Sequence, residues 1–184
     1  MAKINRKDVL SVLNIGARLL IICLVVAGIV SLVNEVTKTR YAELQEEQMQ
    51  ESMASIFGLE KVDYRELADD VYLISQDGET LGYCVQNATA GFGGDITLMV
   101  GFNRDFSIAG VQILSHSETP GLGAKANDAS YLSQYNGKSG ELTLNEDIDA
   151  ISGATISSKA VLSGVNSARE MLLNSLSVTG GDGQ

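Results

Sequence analysis

A run of fifteen uncharged residues, LLIICLVVAGIVSLV (Leu19 to Val33), follows a basic start. As a helix the run is apolar on every face, which favours a membrane span over a buried core helix. Fifteen residues make about 22 Å of helix, short of a hydrocarbon core of ~30 Å. Counting back to Val12 gives about 33 Å, which spans if Arg18 snorkels toward the near headgroups. Residues 1–18 hold Lys3, Arg6, Lys7 and Arg18 against Asp8, a net +3. Positive residues stay on the cytoplasmic side, so residues 1–11 are expected inside, 12–33 across the membrane and the remainder outside. A cleaved signal peptide has a similar start, but Ser31-Leu32-Val33 and Asn34-Glu35-Val36 make poor small-x-small cleavage sites. The expectation is an uncleaved anchor in the cell (inner) membrane.

The whole chain carries −10, so everything after Arg18 carries −13. A surface that acidic repels nucleic acid, and no basic stripe offsets it. Cys23 lies in the apolar run and Cys84 stands alone beyond it, which leaves no disulfide framework and no CxxC pair. The lone His116 argues against a zinc or non-haem iron centre, and no metal ligands are assigned. His116 among serines does not make a hydrolytic triad without a G-x-S-x-G elbow. No residue reads as a catalytic base. Any electron chemistry here would need an organic cofactor.

Past the anchor, TKTRYAELQEEQMQESMASIFGL places Tyr41, Leu44, Met49, Met53, Ile56 and Phe57 at mostly helical spacing. It reads as a stalk helix within residues 34–60, acidic on its other face. Strand patterns follow at Val71–Gln76 and Thr80–Gln86 around the turn pair Asp77-Gly78. Two more, Asp95–Phe102 and Ser107–His116, flank Asn103-Arg104-Asp105. Ala126–Tyr135 reads as a short helix capped by Asn127 or Asp128. ELTL (Glu141 to Leu144) reads as a brief strand, and Ser157–Leu176 as a closing helix. The fold class is α+β: an N-terminal transmembrane helix, then an extracytoplasmic domain over residues 61–178 with an antiparallel meander and flanking helices. Residues 179–184 are expected to be a disordered tail.

Three small-residue stretches interrupt this pattern. TAGFGGD (Thr89 to Asp95) precedes a strand, not a helix, which excludes a dinucleotide fingerprint. It suits a loose loop, or backbone close to a ligand with Phe92 against a flat ring. In HSETPGLGAK, Pro120-Gly121 fits the centre of a type II turn. In ISGATIS (Ile151 to Ser157), Ser157 or Ser158 could cap the last helix. Alternatively, the helix start could bind a phosphate, with Lys159 as a nearby cation and the Thr155 hydroxyl beside the anion.

DAISGAT (Asp149 to Thr155) resembles the D-x-x-S/T-G-A-T signature of the FMN-binding domain family. SETPGLG (Ser117 to Gly123) and GFGGDITLMVGF (Gly91 to Phe102) resemble two further motifs of that family, in the same order. The resemblance covers about half the chain, from Gly82 to Leu176. It implies covalent FMN, joined through its phosphate to Thr155 by a dedicated flavin transferase. It also implies that Ser152, Gly153, Ala154 and Ser157 shape the attachment loop. Glu118, Thr119, Pro120, Gly121, Leu122 and Gly123 should border the flavin. Length and anchor together are similar to the G-subunit family of Rnf complexes, which couple electron flow between ferredoxin and NAD to ion movement. That implies an electron relay with other membrane subunits as partners. The related flavin subunit of sodium-pumping NADH:quinone reductases, usually longer, is the alternative within the family. A non-redox tethered binding or sensing domain is the alternative outside it.

Overall fold

In the computed structural model of the protein, which describes residues 6–179, five strands follow one another in chain order. They are β1 (Asp63–Ala68), β2 (Val71–Gln76), β3 (Glu79–Ala90), β4 (Asp95–Asn103) and β5 (Ile108–Ser115). Each pairs antiparallel with the next, giving one meander in the order β1-β2-β3-β4-β5. The turns explain the register. Asp77 and Gly78 both take positive φ, 52° and 83°, as a two-residue hairpin loop requires. They set Gln76 opposite Glu79. Gly91 to Gly94 close the next hairpin, with Gly91 N donating to Gly94 O at 2.9 Å and Ala90 opposite Asp95. The expected loose loop is therefore a tight four-residue turn.

The sheet is covered on both faces. One face packs β3 and β4 residues Val85, Leu98 and Val100 against Val161, Val165, Ala168 and Leu172 of the closing helix. The other packs Tyr72, Ile74, Cys84 and Met99 against Met53 and Ala54, with Ile56 and Phe57 alongside. These last four belong to the end of α1 (Arg6–Ile56) and the turn after it. The stripe expected of the stalk helix is thus apolar because its C-terminal turns complete a core. Burial pushes the Cys84 thiol pKa up and keeps it a neutral core group.

The chain divides into two compact units, residues 1–46 and 47–184. Within the first, Gly16–Asn34 has a mean hydropathy of 2.5 and none of it is buried. By length and composition this segment can cross a membrane.

Several local expectations change. β1 has no counterpart in the pattern reading, because Asp63, Arg65 and Glu66 break its alternation. Those charges suit an edge strand, where they discourage pairing with another chain. Glu141–Leu144 is not a strand: Leu144 makes only an isolated bridge with Ile148. Its backbone is satisfied by side chains instead, with Leu142 N donating to Asn166 Oδ1 and Asn166 Nδ2 donating to Leu142 O. The helix expected over Ala126–Tyr135 is broken into 3₁₀ turns around a single α-turn, α2 (Ala129–Leu132). Asp128 holds its N-cap position without a side-chain cap bond. The closing helix, α3, runs Thr155–Thr179, two residues earlier at its start than expected. Residues 1–5, and residues 180–184 of the expected tail, lie outside the described residues.

Candidate functional site

Thr155 opens α3, and the seven residues around it are held from both sides. Ile151 O accepts from Ala154 N at 3.0 Å, closing a turn whose Gly153 sits at φ 79°. The Ser158 hydroxyl donates to Ala154 O and accepts from Ile151 N, both at 3.0 Å. Tyr131 OH donates to Ser158 O at 3.3 Å and lies 3.1 Å from Tyr135 OH. Ser157 and Ser158 are thus buried residues of the first helical turn, and neither is the cap. Thr155 itself is exposed.

A carboxylate joins this helix start to the two other glycine-containing segments. Glu118 is 5 % exposed. Its Oε2 accepts from Ser157 Oγ at 2.5 Å. Its Oε1 accepts from Phe92 N at 2.7 Å and Gly93 N at 3.1 Å. Burial acts most strongly on its pKa and would raise it. The bonds from Ser157, Gly93 and Phe92, with His116 nearby, outweigh that and hold the carboxyl below its ordinary value. It is therefore an anion at neutral pH, and three donors surround it.

The close approach explains two glycines. A Cβ on Gly123 would run into Glu118 Oε2 and Ser157 Oγ, and one on Gly91 into Glu118 Oε1. Pro120-Gly121 forms the expected turn: Leu122 N donates to Thr119 O at 3.2 Å and Gly121 sits at φ 78°. A Cβ resists that φ in a type II turn.

Glu118, Thr119, Leu122, Gly123, Gly153, Ala154, Thr155 and Ser157 all line one cavity of about 380 Å³. That is within the usual size range of a small-molecule site. Pro120, Gly121 and Ser152 stand outside the lining. So does Lys159, which borders a separate surface depression with Glu141 and Glu170. Phe92 and Ile156 complete the cavity. Sequence reasoning raised Phe92 without assigning it and missed Ile156, which reads as an ordinary helix residue. Phe92 is 68 % exposed, Ile156 55 % and Leu122 48 %. Large apolar side chains left open to water around one concavity suit contact with an apolar ligand. The ring system of FMN fits that lining. A larger depression, about 460 Å³, runs along β5 and contains none of these residues.

The sequence model of the FMN-binding domain matches residues 91–170, which takes in all three segments. The G subunit of the Na(+)-translocating ferredoxin:NAD(+) oxidoreductase complex of Acetobacterium woodii is 38 % identical, over 67 % of this chain and 63 % of that one. The chain thus spans somewhat less than two thirds of that relative. The G subunit of the proton-translocating ferredoxin:NAD(+) oxidoreductase complex of Clostridium ljungdahlii is 32 % identical, over 90 % of this chain and 94 % of its own. The corresponding G subunit of the ion-translocating oxidoreductase complex of Methanosarcina acetivorans is 36 % identical, over 82 % and 88 %. These likenesses, on a chain with one apolar N-terminal helix and an FMN-binding domain, replace the non-redox reading: the chain belongs to the family of G subunits of ion-translocating oxidoreductase complexes, FMN-binding subunits of electron transport.

Proposed function

We propose that this chain carries FMN as a phosphoester on Thr155 and relays electrons within a membrane complex that couples ferredoxin:NAD oxidoreduction to ion movement. The observation that supports the attachment most directly is the position of Thr155. It is an exposed hydroxyl at the first residue of α3, on the lip of an apolar cavity. When bound, FMN supplies the capacity to accept and release electrons, which this chain's side chains lack. The chain's own residues do the holding. Phe92, Leu122 and Ile156 offer the apolar contact. The turn at Gly153 and the Ser158 bonds present Thr155. Glu118 fixes the three segments together. A covalent ester keeps the flavin from diffusing away on the outer side of a membrane.

The anchor reading goes with this: N-terminus in the cytoplasm, residues after Val33 outside, and other membrane subunits as neighbours. A flavin transferase would form the ester. The test is a peptide map of the full chain made with an active transferase. The peptide containing Asp149 to Ser158 should gain the mass of FMN less one water, with fragmentation locating it on Thr155. Thr155→Ala should abolish the adduct and change stability by no more than about 0.5 kcal/mol, as for other exposed positions. An unmodified wild-type peptide beside a modified control protein would refute the assignment.

A further inference from the structure

The cavity has an electrostatic character that its apolar rim conceals. Its lining includes no lysine or arginine, and its one charged member is Glu118. The carboxylate lies against the first turn of α3, 2.5 Å from Ser157 Oγ. That turn is where a helix is ordinarily most favourable to anions, through free N–H groups and the positive end of its dipole. Here a fixed negative charge stands beside that turn, bonded to its Ser157 side chain. The amides of Phe92 and Gly93, which could also serve an incoming anion, are bonded to the same carboxylate.

We infer that Glu118 serves the flavin cavity as a fixed negative charge, holding three segments in place while penalising further negative charge beside the first turn of α3. The inference rests on the reading that the flavin occupies this cavity, and it adds two consequences. A free phosphate monoester, with close to two negative charges at neutral pH, gains little there, so the unattached chain should not prefer FMN over riboflavin. Esterification to Thr155 replaces one ionisable phosphate oxygen with a neutral ester link and lowers the charge to be accommodated. Reduction adds negative charge to a flavin ring, so Glu118 should also hold the bound flavin's midpoint potential low. Charges a few ångströms apart near a protein surface change an equilibrium by roughly tenfold or more.

Glu118→Gln separates charge from shape. The amide has the same outline. Its oxygen can accept from Phe92 N and Gly93 N, and its NH₂ can donate to Ser157 Oγ once that hydroxyl turns. Ser157→Ala does the reverse: it deletes one bond and leaves the charge. The first measurement needs no variant. Full-length wild-type chain in detergent, made without transferase, is titrated with riboflavin and with FMN. Affinities within about threefold of each other, or tighter riboflavin, are expected; FMN binding tenfold tighter would overturn the inference by revealing a phosphate site. The second uses chains whose flavin has been located on Thr155 by mass spectrometry. At a fixed ambient potential, Glu118→Gln should raise the ratio of reduced to oxidised flavin at least tenfold, about 30 mV for a two-electron couple. Ser157→Ala should change it less than threefold. Equal shifts in both variants, or no shift in Glu118→Gln, would reduce Glu118 to a structural latch. Absence of flavin from Thr155 in the wild type bears on the attachment alone, because the titrations with free flavins do not depend on it.

Discussion

Gly123→Ala is the sharpest test of the arrangement around Glu118. The added methyl would land on Glu118 Oε2 and Ser157 Oγ, with Glu118 Cβ at 3.1 Å. The end of a glutamate can usually swing aside, but this one is held by the Phe92 and Gly93 amides on its other oxygen. Relief therefore requires giving up the Ser157 bond or shifting the segment around residue 123. Overpacking a tight site costs about 1–3 kcal/mol, and a hydrogen bond to a charged group is worth about 1.5–3 kcal/mol. The two costs overlap, so the expected loss is about 2–4 kcal/mol. The unit spanning residues 47–184 has an unfolding entropy of ~0.3 kcal/mol per kelvin at about 2.1 cal/mol/K per residue. The melting temperature should therefore fall by roughly 7–14 °C. The assay is thermal unfolding of the full chain in detergent, with Lys125→Ala as an exposed control expected within about 0.5 kcal/mol of wild type. Repeating Gly123→Ala in a Ser157→Ala background should reduce its cost, since one of the two clashing atoms is gone. A loss under about 1 kcal/mol, or an identical loss in both backgrounds, would refute the contact as described.

Acidification should act through the same carboxylate. Glu118 is held below its ordinary pKa of 4.5, so its stabilising contribution is present above that value and is lost as pH falls through the lower folded value. The stability gap between wild type and Glu118→Gln, followed by denaturant titration, should therefore narrow below pH 4.5; a constant gap would contradict the paired anion. Gly121→Val forces a β-branched residue to φ 78° at the turn leading to Leu122, and should alter the absorption spectrum or potential of the attached flavin while the sheet remains folded. A spectrum and potential equal to wild type would place the flavin away from this turn. For topology, protease added outside intact cells should cut the chain only beyond about Asn34; cuts confined to the cytoplasmic face would reverse the proposed orientation.

Periodicity and turn chemistry in the sequence are enough to specify the anchor segment and four of the five strands. The apolar helix Gly16–Asn34 is long enough to cross a membrane, and Asp77-Gly78 or Pro120-Gly121 favours a reversal of the chain. β1 escaped because an edge strand draws its stability from a neighbour and tolerates charges that erase its pattern. Helix breaks around α2 and the early start of α3 escaped for a related reason: caps and 3₁₀ turns depend on partners brought by the rest of the chain. The motifs also contain most of the cavity lining, since Glu118, Leu122, Gly153 and Thr155 belong to short segments legible in isolation. What those segments share was not legible. Glu118 reaches residues 25, 26 and 39 positions away in sequence, and hydrogen bonds over such separations leave no periodic trace. Phe92 and Ile156 become parts of one cavity only when the β3–β4 hairpin, the turn after β5 and the start of α3 converge. Lys159, four residues on in the same helix, shares nearly one face with Thr155, yet it borders a different depression, with Glu141 and Glu170. Local residue chemistry determined what each segment could do; only the packing of the sheet against α3 decided which of those capacities meet, because it fixes the distances over which charge and hydrogen bonding act.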